Sequence, residues 1–364
     1  MHKLINALIL CLVCCILITP VLSQNTPSQS IPSHGEVLYD VPLWYGTGEV
    51  PYLQTSGNES LNRFRNCLER QAKWNFNTHR LYIYPYMEAT NQPIDRKWDW
   101  DLINGKIEIC REFGQKVIID IHHQGYYYNS DQYCYGKGYF GSERWIQDWR
   151  DLTEIFKGNP DIIAFELYNE PFVRWGKDSL GKTYDIWDSS VTDYPDVFDA
   201  YARCTNAIRE IDSSRTVIWG DPFQSNVLPS KDGFNGWFGD VLSQYLPYAG
   251  NMYFTFHQYP PVNATPDNPW AGIEMLQKAM TYVKNKGFNV WLGEFGPGGY
   301  DASPPISLEE EENFAISCIN FCVDNNIGFS LWSYYNDHYM GDVFGVPLGW
   351  YDEVLAQSNY VRAR

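Results

Sequence analysis

Basic side chains are scarce in this sequence. Lys and Arg number 27 against 44 Asp and Glu, a formal charge of −17. The chain therefore lacks the cationic surplus that phosphate neutralisation demands, and nucleic acid is excluded as a general partner. Glycine-rich GxGxxG segments following a strand are missing too, so a doubly wound dinucleotide-binding sheet has no support. Apolar runs are short: Leu4–Ile18 falls below the roughly 18 to 20 residues that a membrane span needs, and no later segment is apolar enough to cross a bilayer. Charged residues make up only 20% while hydrophobic ones reach 44%, which excludes disorder and implies a large packed core.

Aromatic residues are abundant, with 14 Trp and 27 Tyr. That is more than an ordinary core uses, and flat rings lining a groove suit sugars. The apolar run behind His2 and Lys3 is broken by Thr19-Pro20, and Val21-Leu22-Ser23 places small residues for cleavage after Ser23. The expected organisation is a signal peptide over 1–23, a flexible leader rich in Ser, Pro, Gln and Asn over 24–36, and one catalytic domain over 37–364. An exported monomer with no membrane attachment after cleavage is expected.

Nine cysteines become six once Cys11, Cys14 and Cys15 leave: Cys67, Cys110, Cys134, Cys204, Cys318 and Cys322. An even count in an oxidising compartment predicts disulfides, with about 15 connectivities open. None of the six has the CxxC spacing of a zinc site. Asn58-Glu59-Ser60 and Asn263-Ala264-Thr265 fit the glycosylation sequon.

Short β-branched and aromatic runs alternate with amphipathic stretches from Val41 onward. Strands are predicted at 41–46, 77–84, 116–122, 162–168, 215–219, 251–257, 289–294 and 327–332. Helices are predicted at 59–74, 99–114, 143–157, 197–212, 270–286 and 307–325, with weaker ones near 237–246 and 349–357. Gly114, Gly287 and Asn326 follow helix ends, where left-handed caps belong. Eight β–α units predict an α/β fold, a single (β/α)8 TIM barrel. Its extra length falls after strand ends, at 123–142, 169–196 and 220–236, the face on which such barrels work. These loops carry Tyr126, Tyr127, Tyr128, Tyr133, Tyr135, Tyr139, Trp175 and Trp187.

Side chains alternate faces along a strand, so parity identifies those inside the barrel. It turns Arg80, Tyr82, Tyr84, Asp120, His122, Glu166, Tyr168, His257, Tyr259 and Trp332 inward, with Glu170 and Glu294 at strand exits. It turns Ile163, Phe165 and Leu167 of the fourth strand outward. Burying so many ionisable groups is tolerable only if they satisfy one another, which predicts one convergent network at the mouth.

Leu167-Tyr168-Asn169-Glu170-Pro171 and Trp291-Leu292-Gly293-Glu294-Phe295-Gly296 resemble the two catalytic signatures of glycoside hydrolase family 5, the cellulase family of clan A. Arg80, His122, His257 with Tyr259, and Trp332 fall in that family's order on successive strands. The resemblance implies a retaining hydrolase with Glu170 as acid/base and Glu294 as nucleophile, their carboxyl groups about 5–5.5 Å apart. It also implies that Arg80 partners the nucleophile, Asn169 donates to the sugar 2-hydroxyl, and Trp332 stacks beneath the sugar. His122, His257 and Tyr259 would orient carboxylates or bind hydroxyls. Glu166 is expected to be a buried structural carboxylate. His122 and His123 face opposite ways, and the chemistry requires neither metal nor cofactor. The expected activity is a secreted endo-β-1,4-glucanase acting on β-glucan. A β-mannanase or a β-1,3-glucanase is the alternative, because substrate choice resides in loop shape. A non-catalytic carbohydrate-binding protein would lack one carboxylate, and both are present.

Overall fold

A computed structural model describes residues 43–48, 57–83, 98, 100–122, 140–170, 194–220, 242–260, 271–297, 307–332 and 349–363. Segments 1–23 and 24–36, Tyr84, Cys134, Asn263 and the eight loop aromatics named above lie outside the described residues.

Eight parallel strands close into a barrel, β1 (Tyr45–Gly48), β2 (Thr78–Ile83), β3 (Lys116–Ile121), β4 (Ile162–Glu166), β5 (Thr216–Trp219), β6 (Met252–Gln258), β7 (Asn289–Phe295) and β8 (Gly328–Leu331). Each pairs with the next, and β8 returns to β1 through Phe329 opposite Tyr45. Helices α1 (Gly57–Gln71), α2 (Trp100–Glu112), α3 (Glu143–Phe156), α4 (Tyr194–Ile211), α5 (Ala271–Asn285) and α6 (Leu308–Asp324) connect strands. Two short helices, α7 (Trp350–Gln357) and α8 (Tyr360–Ala363), end the chain. Where a helix was predicted over 237–246, the described residues hold a helical turn at 242–244 and a 3₁₀ segment, Leu246–Asn251.

Local chemistry explains the ends. Ser142 caps α3 by accepting from the Trp145 amide, and Ser307 with Glu310 forms a reciprocal capping box on α6. Gly114, Gly287 and Asn326 take positive φ (71°, 99° and 51°) beyond α2, α5 and α6, as their positions predict.

The barrel separates two apolar layers. Leu81, Ile83, Val117, Ile119, Ile121, Phe165, Phe254 and Phe256 pack outward against helix residues such as Phe64, Leu68, Ile107 and Met280. Inside, Trp44, Ile118, Ala164, Ile218 and Trp291 form a separate plug. Ile118 and Ala164 each sit two residues before an inward carboxylate, Asp120 and Glu166, so hydrocarbon fills the barrel below its polar mouth.

Two parity expectations on β4 need correction. Ile163 packs against the inner plug rather than outward, because Val117 pairs with Ile162 and Ile118 with Ala164, leaving Ile163 as an extra bulged residue. Tyr168 does not share the inner face with Glu166. The strand ends at Glu166, alternation lapses, and Tyr168 joins the outer layer beside Phe140 at 5.2 Å between ring centres.

The expected disulfides are not found among the described residues. Cys67, Cys110, Cys204, Cys318 and Cys322 are all buried thiols, and all except Cys67 are at most 2% exposed. Cys110, Cys204, Cys318 and Cys322 ride helix faces in the outer apolar layer, where sulfur packs like a small hydrocarbon. Cysteine number and compartment limit which bonds can form, but not which thiols the fold brings together. Asn58 falls within the first turn of α1.

Candidate active site

The mouth is built by strand ends that extend their pairing just past the sheet. The His122 amide donates to the Ile83 carbonyl at 3.3 Å, and the Asn169 amide donates to the Ile121 carbonyl at 3.3 Å. The Leu167 carbonyl accepts from the indole N–H groups of both Trp145 and Trp149, each at 2.9 Å. The Tyr201 hydroxyl donates within reach of the Tyr168 and Gly220 carbonyls at 3.2 and 3.3 Å. Gly220 is required by this closeness, since a Cβ there would meet the Tyr168 oxygen at 1.6 Å. The turn bearing Asn169 and Glu170 is thus fixed from the helix side.

Strand β7 delivers Glu294 differently. Leu292 pairs with Phe256 but Glu294 with His257, so Gly293 is an extra residue in the ladder. A Cβ at Gly293 would lie 2.0 Å from Thr255 Oγ1 and 3.0 Å from the Trp291 ring, placing that position on the inner face as well. Two consecutive residues therefore face inward, and only glycine fits at the first. This bulge breaks the alternation of faces along β7.

Arg80 is the hub. Its Nε and Nη2 donate to Glu166 at 2.6 and 2.7 Å, its Nη1 to Glu294 Oε2 at 2.8 Å, and its Nη2 to Asn169 Oδ1 at 2.5 Å. Asp120 Oδ2 lies 3.1 Å from Nη2 and 2.9 Å from His122 Nδ1. The Tyr259 hydroxyl donates to Glu294 Oε1. His257 Nδ1 stands 2.7 Å from Glu170 Oε1 and 3.6 Å from Glu294 Oε2. Single oxygens of Glu170 and Glu294 and a ring nitrogen of His257 all lie within 4.8 Å of one another. Three such donors could surround a cation geometrically, but Arg80 already pairs with Glu294 and His257 Nδ1 already serves Glu170. The set reads as an acid/base pair bridged by imidazole.

Trp332 lies one residue beyond β8, its ring parallel to that of His122 at 5.3 Å and 8°. Tyr82 fills the angle between them, 4.0 Å from His122 and 5.0 Å from Trp332. The Trp332 amide donates to the Phe295 carbonyl at 2.7 Å, and its carbonyl accepts from the Tyr351 hydroxyl. Gly296 passes so close that a Cβ would sit 2.0 Å from the Trp332 oxygen. Every predicted site residue, Arg80, His122, Asn169, Glu170, His257, Tyr259, Glu294 and Trp332, lies in or beside this one network. Sequence parity turned Asp120 and Tyr82 inward without giving either a task. Tyr351, on α7, carries no signal in the sequence that points to the mouth.

Burial sets the proton affinities. It pushes Glu170 up to about 7, against the pull of Arg80. Burial likewise raises Asp120 and Glu166 to about 7 despite Arg80. Glu294 is raised by burial and by Glu170, while His257, Arg80 and the Tyr259 hydrogen bond draw it down. Burial, Arg80 and His257 hold His122 well below the ordinary histidine value, so its imidazole is neutral. Arg80 stays cationic, because the surrounding carboxylates outweigh the burial that opposes its charge. Glu170 is the least buried of these carboxyls, its side chain 22% exposed.

Residues 49–338 match the family described as Cellulase (glycosyl hydrolase family 5). The chain belongs to glycosyl hydrolase family 5. Within this hydrolase family, an endoglucanase of Paenibacillus polymyxa is 22% identical over 318 residues, covering 80% of this chain and 73% of that one. Cellodextrinase A of Ruminococcus flavefaciens is 23% identical over 216 residues, covering 57% and 55%. A solved endocellulase from Pyrococcus horikoshii, in complex with cellotetraose, superposes with a TM-score of 0.56 at 19% identity, covering 88% of this chain and 92% of that one. That likeness supports the barrel. The family membership makes the chain a glycosyl hydrolase.

Proposed function

We propose that this glycosyl hydrolase is an exported, retaining, endo-acting β-1,4-glucanase. The observation that carries the reading is the pairing of Glu170 and Glu294. One oxygen of each lies within 4.8 Å of the other, an approach that suits the carboxyl separation of about 5–5.5 Å typical of double displacement.

In the first half-reaction Glu294 attacks the anomeric carbon while Glu170, raised by burial, gives its proton to the leaving oxygen. Arg80 and Tyr259 each take one oxygen of Glu294 and favour its ionised form. Once the ester forms, Glu294 carries no charge, and Glu170 loses the neighbour that helped hold its proton. It then accepts a proton from the attacking water. His257, 2.7 Å from Glu170, keeps that carboxyl aimed at the reacting oxygen. Arg80 occupies the amide oxygen of Asn169, so the amide NH₂ is left to donate to a sugar hydroxyl. Trp332 offers its ring beside the bond that breaks.

A neutral polysaccharide fits the acidic chain, whose net charge is −17. One relative is an endoglucanase and another a cellodextrinase, so product length is a discriminating measurement. Carboxymethyl-cellulose, glucomannan and laminarin assayed in parallel, with product analysis, test the reading. Hydrolysis of the first with Glu294→Ala inert supports it. Action on mannan or laminarin alone would overturn the β-1,4-glucan assignment, and undiminished turnover by Glu294→Ala would remove the nucleophile.

A further inference from the structure

Arg80 meets more carboxyl groups than one guanidinium can neutralise. Glu166 grips it side-on with both oxygens, at Nε (2.6 Å) and Nη2 (2.7 Å). Asp120 takes Nη2 from the other side at 3.1 Å and reaches on to His122. Only Nη1 is left for Glu294, at 2.8 Å, with the Tyr82 hydroxyl at 3.3 Å. Asp120 and Glu166 are wholly buried, so neither can touch a saccharide.

We propose that Glu166 and Asp120 are positioning residues which, by gripping Arg80 edge-on and competing for its charge, set the pH window in which Glu294 and Glu170 work. The inference rests on the glycosidase reading and deepens it. Glu166 is faced by Arg80 and Tyr82 from β2, by Asp120 and then His122 from β3, and by His257 from β6 with Nε2 at 3.9 Å, while Arg80 links it to Glu294 on β7. Its β5 neighbour in register is the apolar Ile218, and Glu170 stands beyond its own strand end. Three carboxyl groups thus contact one fixed cation, and a fourth, Glu170, feels its charge. Such groups titrate together, each proton lost raising the affinity of the rest for theirs. Two consequences follow from the geometry. With both Glu166 oxygens engaged, the guanidinium cannot swing away from Glu294. As Glu166 and Asp120 ionise, the accumulating negative charge keeps the Glu170 proton in place to higher pH.

The test uses the full chain, comparing wild type with Glu166→Gln and, as a second variant, Asp120→Asn. The readouts are kcat, KM and pH–rate profiles on carboxymethyl-cellulose, and thermal unfolding without substrate. For either variant KM is expected to stay within about twofold, kcat to fall roughly 10- to 100-fold, and the basic limb to move about one unit towards lower pH. The unfolding arm has its own sign. A carboxyl whose proton affinity is higher folded than unfolded makes stability fall as pH rises from about 4.5 to about 7, so removing it should flatten that decline. Active variants whose profiles overlay the wild type in shape, with an unchanged unfolding slope, would overturn the inference. A flattened slope in a chain that cleaves none of the glucans would keep the charge network and discard the β-1,4-glucanase reading instead.

Discussion

The Tyr259 hydroxyl donates to Glu294 Oε1, the oxygen that Arg80 leaves alone. The nucleophile is thereby held at both ends, by a neutral donor and by a cation. Tyr259→Phe removes the neutral donor and raises the proton affinity of Glu294, whose hydrogen bond from Tyr259 draws it down. Activity needs Glu294 ionised, so the acid limb of kcat/KM should move to higher pH. A hydrogen bond to a charged group is worth about 1.5–3 kcal/mol, or roughly 10- to 150-fold in rate. A pH–rate profile of the variant reads both effects.

Gly293→Ala should damage both fold and turnover. The added methyl would stand 2.0 Å from Thr255 Oγ1 with the Trp291 ring behind it, and overpacking of this kind costs about 1–3 kcal/mol. Because Glu294 follows directly, its displacement should lower kcat by at least about tenfold. Urea unfolding and kcat measured on the same preparations check this. Thr255→Ala in the same chain should recover part of the stability.

His79 is buried beside Phe64, edge to face at 4.9 Å, and neither ring nitrogen has a hydrogen-bond partner among the described residues. Burial and Lys106 lower it to about 3. The unfolded chain therefore takes up a proton near pH 6.5 that the folded chain refuses. This cost is absent above pH 6.5 and grows as the pH falls from there towards about 3. His79→Leu should resist acid better than wild type while matching it near neutrality. Melting temperatures across about pH 4 to 7 measure the difference.

Tyr351 supports the mouth from α7 by donating to the Trp332 carbonyl. Tyr351→Phe loses that bond, worth about 0.5–1.5 kcal/mol. If Trp332 carries the sugar, the loss should appear chiefly in KM, raised by roughly 2- to 12-fold, with kcat little changed. Initial-rate kinetics on soluble cello-oligosaccharides separate the two.

Much of this architecture was legible because closed parallel barrels obey a simple alternation. Arg80, Asp120, His122 and His257 are readable as inward from parity alone, and the structure places them there. Parity failed where strand geometry is irregular: at Ile163, an extra residue against β3, and at Tyr168, just past the end of β4. Neither has a local sequence signature, since a bulge arises from mismatch between two distant strands. The side-on grip of Glu166 on Arg80 was also hidden, because spacing says which face a carboxylate takes but not which nitrogen it meets. Tyr351 reaches the mouth only through the packing of α7, and no motif marks it.

The cysteine layer also gives a clock. Cys318 and Cys322 sit four residues apart on α6, sealed against the sheet. A thiol reagent can reach them only when that helix lifts, so their labelling rate would time how often the barrel wall breathes. Measured with and without an oligosaccharide bound, it would tell whether occupying the mouth stiffens the far side of the molecule.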